Sequence, residues 1–386
     1  MKVTVSYQSL MNVLGFPNTI LSDKSVDDKS KNIIFLVRPD GMKVVGYNVF
    51  TFSRTEMDIV ESEDIPESGW EFQVKASNLN KVLSSFSSLY KTKVDNVSFS
   101  EEGVKIKLSV YEEAIKEEDS RLAQVSEFYL ENVPIIANVN TEIHMDFPES
   151  VDLLTSGDLS LYIDSLMPLM SNDSAGSNAS KLNFAPDYVF VMCGYMSAFF
   201  KNRLPEAFKG MALSYSSINF LKKLLEGVDS INVCRIDKYL CVQSGTTEAF
   251  LKHQNIKLKH EPYLKKMDKT LGVSVDRFYL KDVLRRMGNV ATDGKMFIMD
   301  DGNLNVVCTD FQQNIPMNKV KPGTSGIGFN ITIKYFENGI IGKEDVFSSD
   351  VFIYFVKMAR GYMVFMQDKS GAWISSTQVT EAKEEV

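Results

Sequence analysis

A chain of 386 residues, 44% of them apolar, is long enough for two or three packed cores and too apolar for a disordered polymer. A net charge of −8 argues at first against a polyanionic partner, and no run approaches the roughly 18 apolar residues that span a bilayer. The opening MKVTVSYQ has no secretory pattern, so the expectation is a soluble, cytoplasmic protein without a membrane partner. Cys193, Cys234, Cys241 and Cys308 sit in apolar, strand-like runs with no CxxC pair, which reads as buried thiols.

Taken in chain order, one pattern returns six times. KVTVSYQSLMNVL, from Lys2, is a strand running into a short amphipathic helix, followed by NIIFLVRPD and MKVVGYNVF turned at Asp40-Gly41. FQVKASNLNKVLSSF, from Phe72, repeats the strand and helix, with Leu79, Val82, Leu83 and Phe86 at helical spacing. Ser22–Lys31, Glu61–Gly69 and the segment from Glu112 read as polar loops or connectors, and SEFYLENV closes the second module before Pro134.

The third module starts near His144 and reaches LSLYIDSLMPLM; its helix carries Asp158 and Asp164 and no cation. SNDSAGSNAS is a low-complexity loop, and DYVFVMCGYMSAFF a buried strand pair bent at Gly194. The fourth, from Met211, packs Ile218, Leu221 and Leu225 and leaves Lys222 and Lys223 outward. A lysine-rich connector around Pro262 precedes the fifth, which begins at Gly272. There Asp276 caps a helix burying Leu280, Val283, Leu284 and Met287, with Arg277, Lys281, Arg285 and Arg286 on its other face. A sixth starts at Gly328, and an acidic tail ends the chain. Strand, helix and hairpin recur together, so the order reads as a true repeat.

Charge is distributed unevenly. Residues 201–290 hold 17 Lys and Arg against 9 Asp and Glu, inside an otherwise acidic body. That arrangement presents positive charge selectively.

Catalytic signatures are missing from the sequence. There is no HExxH, GxSxG, GxxxxGK[ST] or GxGxxG, and the three histidines show no ligand spacing. Asp300-Asp301-Gly302 reads as a hairpin turn. The expectation is a binding scaffold that needs no cofactor or metal, and not an enzyme.

Six strand–helix–hairpin modules in three pairs resemble the DNA sliding clamps, the polymerase processivity factors, and most closely the three-domain bacterial beta clamp. MKVTVSYQSLMNVL, FQVKASNLNKVL, VSVDRFYLKDVLRR and DGNLNVVCTD carry the likeness. It spans almost the whole chain as architecture, without one diagnostic motif. The acidic third helix, the long loops and the tail depart from cellular clamps and suggest a bacteriophage version.

The resemblance implies an α+β clamp fold with domains at 1–137, 138–265 and 266–386. Helices would line a homodimeric ring with antiparallel sheets outside. It implies double-stranded DNA, a DNA polymerase and an ATP-dependent clamp loader as partners. On that basis Lys81, Lys91, Lys222, Lys223, Arg277, Lys281, Arg285 and Lys334 are candidate phosphate contacts. Gly194, Tyr195, Met196, Pro262, Leu264, Trp373 and Ile374 are candidates for a partner-peptide pocket. The other readings are an open-faced viral processivity factor without ring closure, and a β-rich virion structural protein.

Overall fold

The computed structural model describes residues 1–21, 31–86, 92–115, 121–135, 137–170, 181–193, 196–256, 271–339, 349–369 and 371–382. The chain forms two compact units, Met1–Gly157 with Ser216–His253, and Asp158–Tyr215 with Gln254–Val386. The six expected modules are present as mixed α and β structure with antiparallel sheets, in the repeated architecture of a clamp fold.

The first module is β1 (Lys2–Ser6), α1 (Tyr7–Ile20), β2 (Asn32–Arg38), β3 (Gly41–Tyr47) and β4 (Thr51–Met57), extended by β5 (Glu61–Glu63). The second is β6 (Trp70–Lys75), α2 (Ala76–Ser84), β7 (Thr92–Glu102), β8 (Lys105–Ile115) and β9 (Arg121–Glu131). A helix that periodicity does not announce, α3 (Ala137–Ile143), follows. The third module is β10 (Asp152–Thr155), α4 (Ser156–Leu166), β11 (Lys181–Phe184), β12 (Tyr188–Cys193) and β13 (Met196–Lys201), so it starts later than His144.

The fourth is β14 (Met211–Ser214), α5 (Tyr215–Leu224), β15 (Ser230–Ile236), β16 (Tyr239–Ser244), β17 (Thr247–Lys252) and the two-residue β18 (Gln254–Asn255). The fifth is β19 (Gly272–Asp276), α6 (Arg277–Gly288), β20 (Asp293–Ile298), β21 (Asn303–Cys308) and β22 (Phe311–Val320). The sixth is β23 (Gly328–Thr332), α7 (Ile333–Gly339), β24 (Asp350–Met358), β25 (Gly361–Asp368) and β26 (Trp373–Val379).

One pairing rule organises all of them. The first strand of each module joins the hairpins of its neighbour, while β19 also pairs the end of β22 and β1 also pairs β5. β1 pairs β7 while β6 pairs β2; β10 pairs β15 while β14 pairs β11; β23 pairs β20 while β19 pairs β24. Modules therefore interlock in twos. Last strands then extend the sheets: β17 pairs β4, and β26 pairs β13.

Within the first pair, Phe35, Phe72 and Phe99 make the core, with ring centroids 4.8–5.5 Å apart. Burying one such ring stabilises by roughly 1.5–3 kcal/mol. Alternation divides β2 cleanly. Ile33, Phe35 and Val37 face the helix side, and Ile34 and Leu36 face outward beneath α3. Pro17 of α1 lies so close to β3 that a Cβ at Gly46 would stand 2.6 Å from its Cα, so only glycine fits there.

α3 is held on that outer face by Val139 and Ile143, 4% and 0% exposed, and by Glu142. The Glu142 carboxylate accepts from the hydroxyls of Tyr47 (2.7 Å) and Tyr239 (2.6 Å), with Lys238 Nζ at 3.5 Å. Burial pushes the Glu142 carboxyl up, but the two hydroxyls and Lys238 outweigh it, and the group ends below its ordinary value of 4.5. A depressed carboxylate contributes stability that is complete above the ordinary value and fades as pH falls through the folded one. Glu142→Gln should cost about 1–3 kcal/mol at neutral pH. It should also flatten the loss of stability below pH ~4.5. Denaturant melts of both proteins from pH 3 to 7 check this.

Candidate nucleic-acid interface

The helices carry the candidate cations, and each helix is shaped by the strand before it. In α6 the Asp276 side chain accepts from the Tyr279 amide at 2.7 Å, which starts the helix directly at the end of β19. Leu280, Val283, Leu284 and Met287 are all fully buried, as their spacing predicts. That leaves Lys281, Arg285 and Arg286 on the opposite side. α1 and α2 are joined by Tyr7 Oη donating to the Leu83 carbonyl at 2.9 Å and by the paired amides of Asn18 and Asn80. α6 and α7 pack together, with Gly288 close to Ile333.

The outward residues of these helices are polar and only sparsely charged. α1 shows Gln8, Ser9, Asn12 and Asn18, with no charged residue, and α2 shows Asn78, Lys81 and Ser84. α5 shows Asn219, Lys222 and Lys223, and α7 shows Lys334. α4 carries Asp158 and Asp164 and no cation. Several cations already have acidic neighbours. Lys223 Nζ lies 2.6 Å from Glu226, and Asp282 holds both Arg285 (3.0 Å) and Arg286 (3.1 Å). Arg285 nonetheless keeps 71% of its side chain exposed. Exposed cations shared with carboxylates in this way exchange partners at little cost.

Two expectations change here. Arg277 steps by four with Lys281 and Arg285, yet it is only 2% exposed. Its amide donates to the Ser349 carbonyl at 2.7 Å, and its guanidinium lies 4.5 Å from the Phe278 ring centroid. Placed at the very start of α6, it is turned into the protein, so it is no phosphate contact in this conformation. Lys281 is half-buried, and that burial lowers its pKa against the pull of Glu337. Arg286, which is absent from the candidate list, has 46% of its side chain exposed.

The expected pocket residues do not share one face. In β13–β26, Trp373 lies opposite Phe200 and Ile374 opposite Phe199, while Met196 lies opposite Thr377. Directly opposed residues of an antiparallel pair project to the same side. Met196 and Trp373 therefore belong with Phe200, which packs on Tyr162 of α4 at 5.8 Å, on the helix side. Ile374 belongs with Phe199 on the outer side. There Phe190, Tyr188, Met192 and Ile256 pack around Phe199, and Tyr354, Met363 and Phe365 around Ile374. Lys91, Gly194, Tyr195, Pro262 and Leu264 lie outside the described residues. The outer face of β13–β26 thus keeps Ile374 as its one described candidate and gains residues that no motif marks.

Elsewhere, Lys81 lines a cleft of about 390 Å³ with Val82, Phe128 and Tyr129, between α2 and β9. A larger cavity of about 630 Å³ lies between Asp293–Lys295 and Thr377–Thr380. Among the described residues, no three His, Cys, Asp or Glu side chains gather as metal ligands would, and no helix is long and apolar enough to cross a membrane.

No family model matches this sequence, and no curated protein matches it. Solved structures do. The DNA polymerase sliding clamp of Caulobacter crescentus aligns with a TM-score of 0.74 at 13% identity, over 99% of this chain and 100% of that one. The sliding clamp of Pseudomonas aeruginosa gives 0.71 at 13%, with the same coverage. DNA polymerase III beta subunit from Thermotoga maritima gives 0.69 at 13%, over 99% of both chains. The fold is that of the beta sliding clamps, from end to end.

Arg277 and Arg285 of α6 should respond in opposite ways to substitution. Arg277→Ala should lower the melting midpoint, at a cost on the order of 2–3 kcal/mol, through lost packing. The slope of log affinity for duplex DNA against log salt should stay unchanged. Arg285→Ala should leave melting unchanged and reduce that slope by about 1. Thermal melts and salt-titrated anisotropy on the same preparations measure both.

Proposed function

We propose that two copies of this chain close a ring around duplex DNA and tether a DNA polymerase to its template. One observation carries the reading. Odd and even modules end in strands that pair with each other: β4 with β17, and β13 with β26. Among the described residues two such strands are left over. β9 pairs only β8, and the outer side of Phe311–Pro316 in β22 has no strand against it. One is an even-module strand and the other an odd-module strand, which is the combination that pairs elsewhere in the chain.

An unpaired edge invites another strand, and a second copy supplies the complementary one. Two copies then satisfy both edges and close. Exposed apolar residues flank these edges: Val125 and Tyr129 on β9 are 51% and 55% exposed, and Tyr279 beside β22 is 36%. Gln313 of β22 donates to Tyr279 Oη at 3.0 Å, which fixes that ring next to the strand. The full-length likeness to beta clamps supports the same assembly.

In this reading each chain supplies three clamp domains, 1–137, 138–265 and 266–386. Lys81, Lys222, Lys223, Lys281, Arg285, Arg286 and Lys334 give delocalised phosphate contacts. Serines and asparagines fill the space between them. Such contacts carry no sequence information and are individually weak, which a sliding ring requires. Ring opening falls to a separate ATP-driven loader, since the sequence has no phosphate-binding loop. The protein does no chemistry of its own. Short apolar segments of the polymerase dock on the outer face of β13–β26, against the partly exposed Met192 and Ile256 that pack beside Phe199 and the partly exposed Phe352 and Val356 beside Ile374.

After loading, the dimer should remain on closed circular DNA at moderate salt and run off linear DNA. Equal retention on both would identify an open-faced binder, and retention on neither would remove the DNA reading. Met192→Asp, at a partly exposed position of that face, should keep the retention on circles yet shorten the polymerase's products to their unassisted length. Unchanged product length with that variant would rule out the outer-face docking site.

A further inference from the structure

A junction between two copies has a register that the two junctions inside the chain determine. The last residues of β1, β10 and β19 lie opposite Asn96, Ser230 and Asp350. Five residues on stand Glu101, Arg235 and Phe355, which lead through Ile106, Leu240 and Val364 to Leu130, Leu251 and Thr377. Leu251 faces Thr51, and Thr377 faces Met196, the residues that open β4 and β13. Phe311 opens β22 in the same way, opposite Cys308. The same count sets Leu130 of one copy against Phe311 of the other, Phe128 against Gln313 and Ser126 against Ile315.

Faces agree with that register. Leu130 and Phe128 belong to the helix side, where Phe128 meets Phe86 edge-on at 5.8 Å. Gln313 is on the helix side of its own copy, since it donates to Tyr279 of α6. The ladder also ends where it cannot be extended. Each internal junction closes with an amide of the odd strand, Glu56 donating to the Thr246 carbonyl and Lys201 to the Ala372 carbonyl, both at 3.1 Å. The equivalent residue of β22 is Pro316, which has no N–H to give.

The helices differ more. At β4–β17, Phe16 of α1 meets Phe220 of α5, with ring centroids 6.4 Å apart. Phe16 is the tenth residue of α1 and Phe220 the sixth of α5; the tenth of α6 is Arg286, and the sixth of α2 is Lys81. Buried positions confirm the alignment, Leu10 and Leu14 matching Leu280 and Leu284, and Ile218 matching Leu79. Where the permanent junction has two rings, the junction between copies has two exposed cations. Asp282 is already divided between Arg285 and Arg286, so three cations share one carboxylate there. Two facing cations resist closure until an anion lies between them.

We propose that the junction between copies is an anion site built from both, in which Lys81 of one copy and Arg286 of the partner subunit hold a backbone phosphate of duplex DNA. Closure and DNA binding then reinforce each other: the empty ring opens readily, and the ring around DNA resists opening. This inference rests on the ring proposed above.

Sedimentation at low salt, with and without a short blunt duplex, tests it through the dimer dissociation constant. Lys81→Glu and Arg286→Glu should each tighten the empty dimer several-fold, because each sets unlike charges together. The double variant faces two carboxylates and should lose that gain, a reversal that only a facing pair produces. Duplex should tighten the native dimer about tenfold, less as salt rises, and should tighten the single variants less than the native chain. Circular dichroism checks that these surface variants are folded. Single-variant effects that add in the double variant overturn the inference, as does an equal duplex effect in all chains. Equal tightening by inorganic phosphate at the same phosphate concentration overturns the duplex as ligand. A native chain that stays monomeric with duplex present overturns the ring itself, so the two failures are told apart.

Discussion

A β-strand has two hydrogen-bonding sides, and this fold follows from where each second side finds its partner. Exchange of first strands between neighbouring modules interlocks them in pairs. Pairing of last strands then joins β17 to β4 and β26 to β13. The helices come along with the strands that precede them. Asp276 caps α6 straight out of β19, and Ser6 caps α1 straight out of β1. The positions of the candidate cations are therefore consequences of strand pairing. The same accounting leaves one side of β9 and of Phe311–Pro316 in β22 without a strand among the described residues.

Electrostatics follow a different logic from stability. The body is acidic, and the helices present a dilute mixture of Lys, Arg, Ser and Asn instead of a dense basic patch. Asp282 between Arg285 and Arg286, and Glu226 beside Lys223, dilute it further. A protein meant to stay at one position on DNA would gain from stronger and more specific contacts. One meant to slide gains from contacts that are easily exchanged, with closure supplying the retention. Under the proposed function, the negative remainder of the surface would limit association at unproductive angles.

Much of this architecture is legible in the sequence, because helical spacing and period-two alternation are strong local signals. Leu79 and Leu83 in α2, and the buried set of α6, fall where their spacing puts them. What local signals cannot carry is the partner of each strand, so strand exchange had to be seen. α3 escaped because ANVNTEI has weak helix propensity, and packing of Val139, Ile143 and Glu142 onto the sheet decides its conformation. Arg277 was readable as one of a stepped cationic row, but its position on the first turn, facing inward beside Ser349, depends on chain distant in sequence. The split of the expected pocket was readable: Trp373 and Ile374 are neighbours in a strand and must point to opposite faces.

The central claim is that β9 of one copy pairs with β22 of another. Mixing a chain carrying Tyr129→Cys with chains carrying one cysteine scanned across residues 312–316 tests it directly, with the native cysteines replaced by serine. The account predicts disulfide-linked dimers in the mixtures, at one or two scanned positions, because bridging needs Cα atoms within about 7 Å. Each variant alone should stay uncrosslinked. Crosslinking of Tyr129→Cys to itself, or of neither strand to the other in a folded dimer, would contradict it.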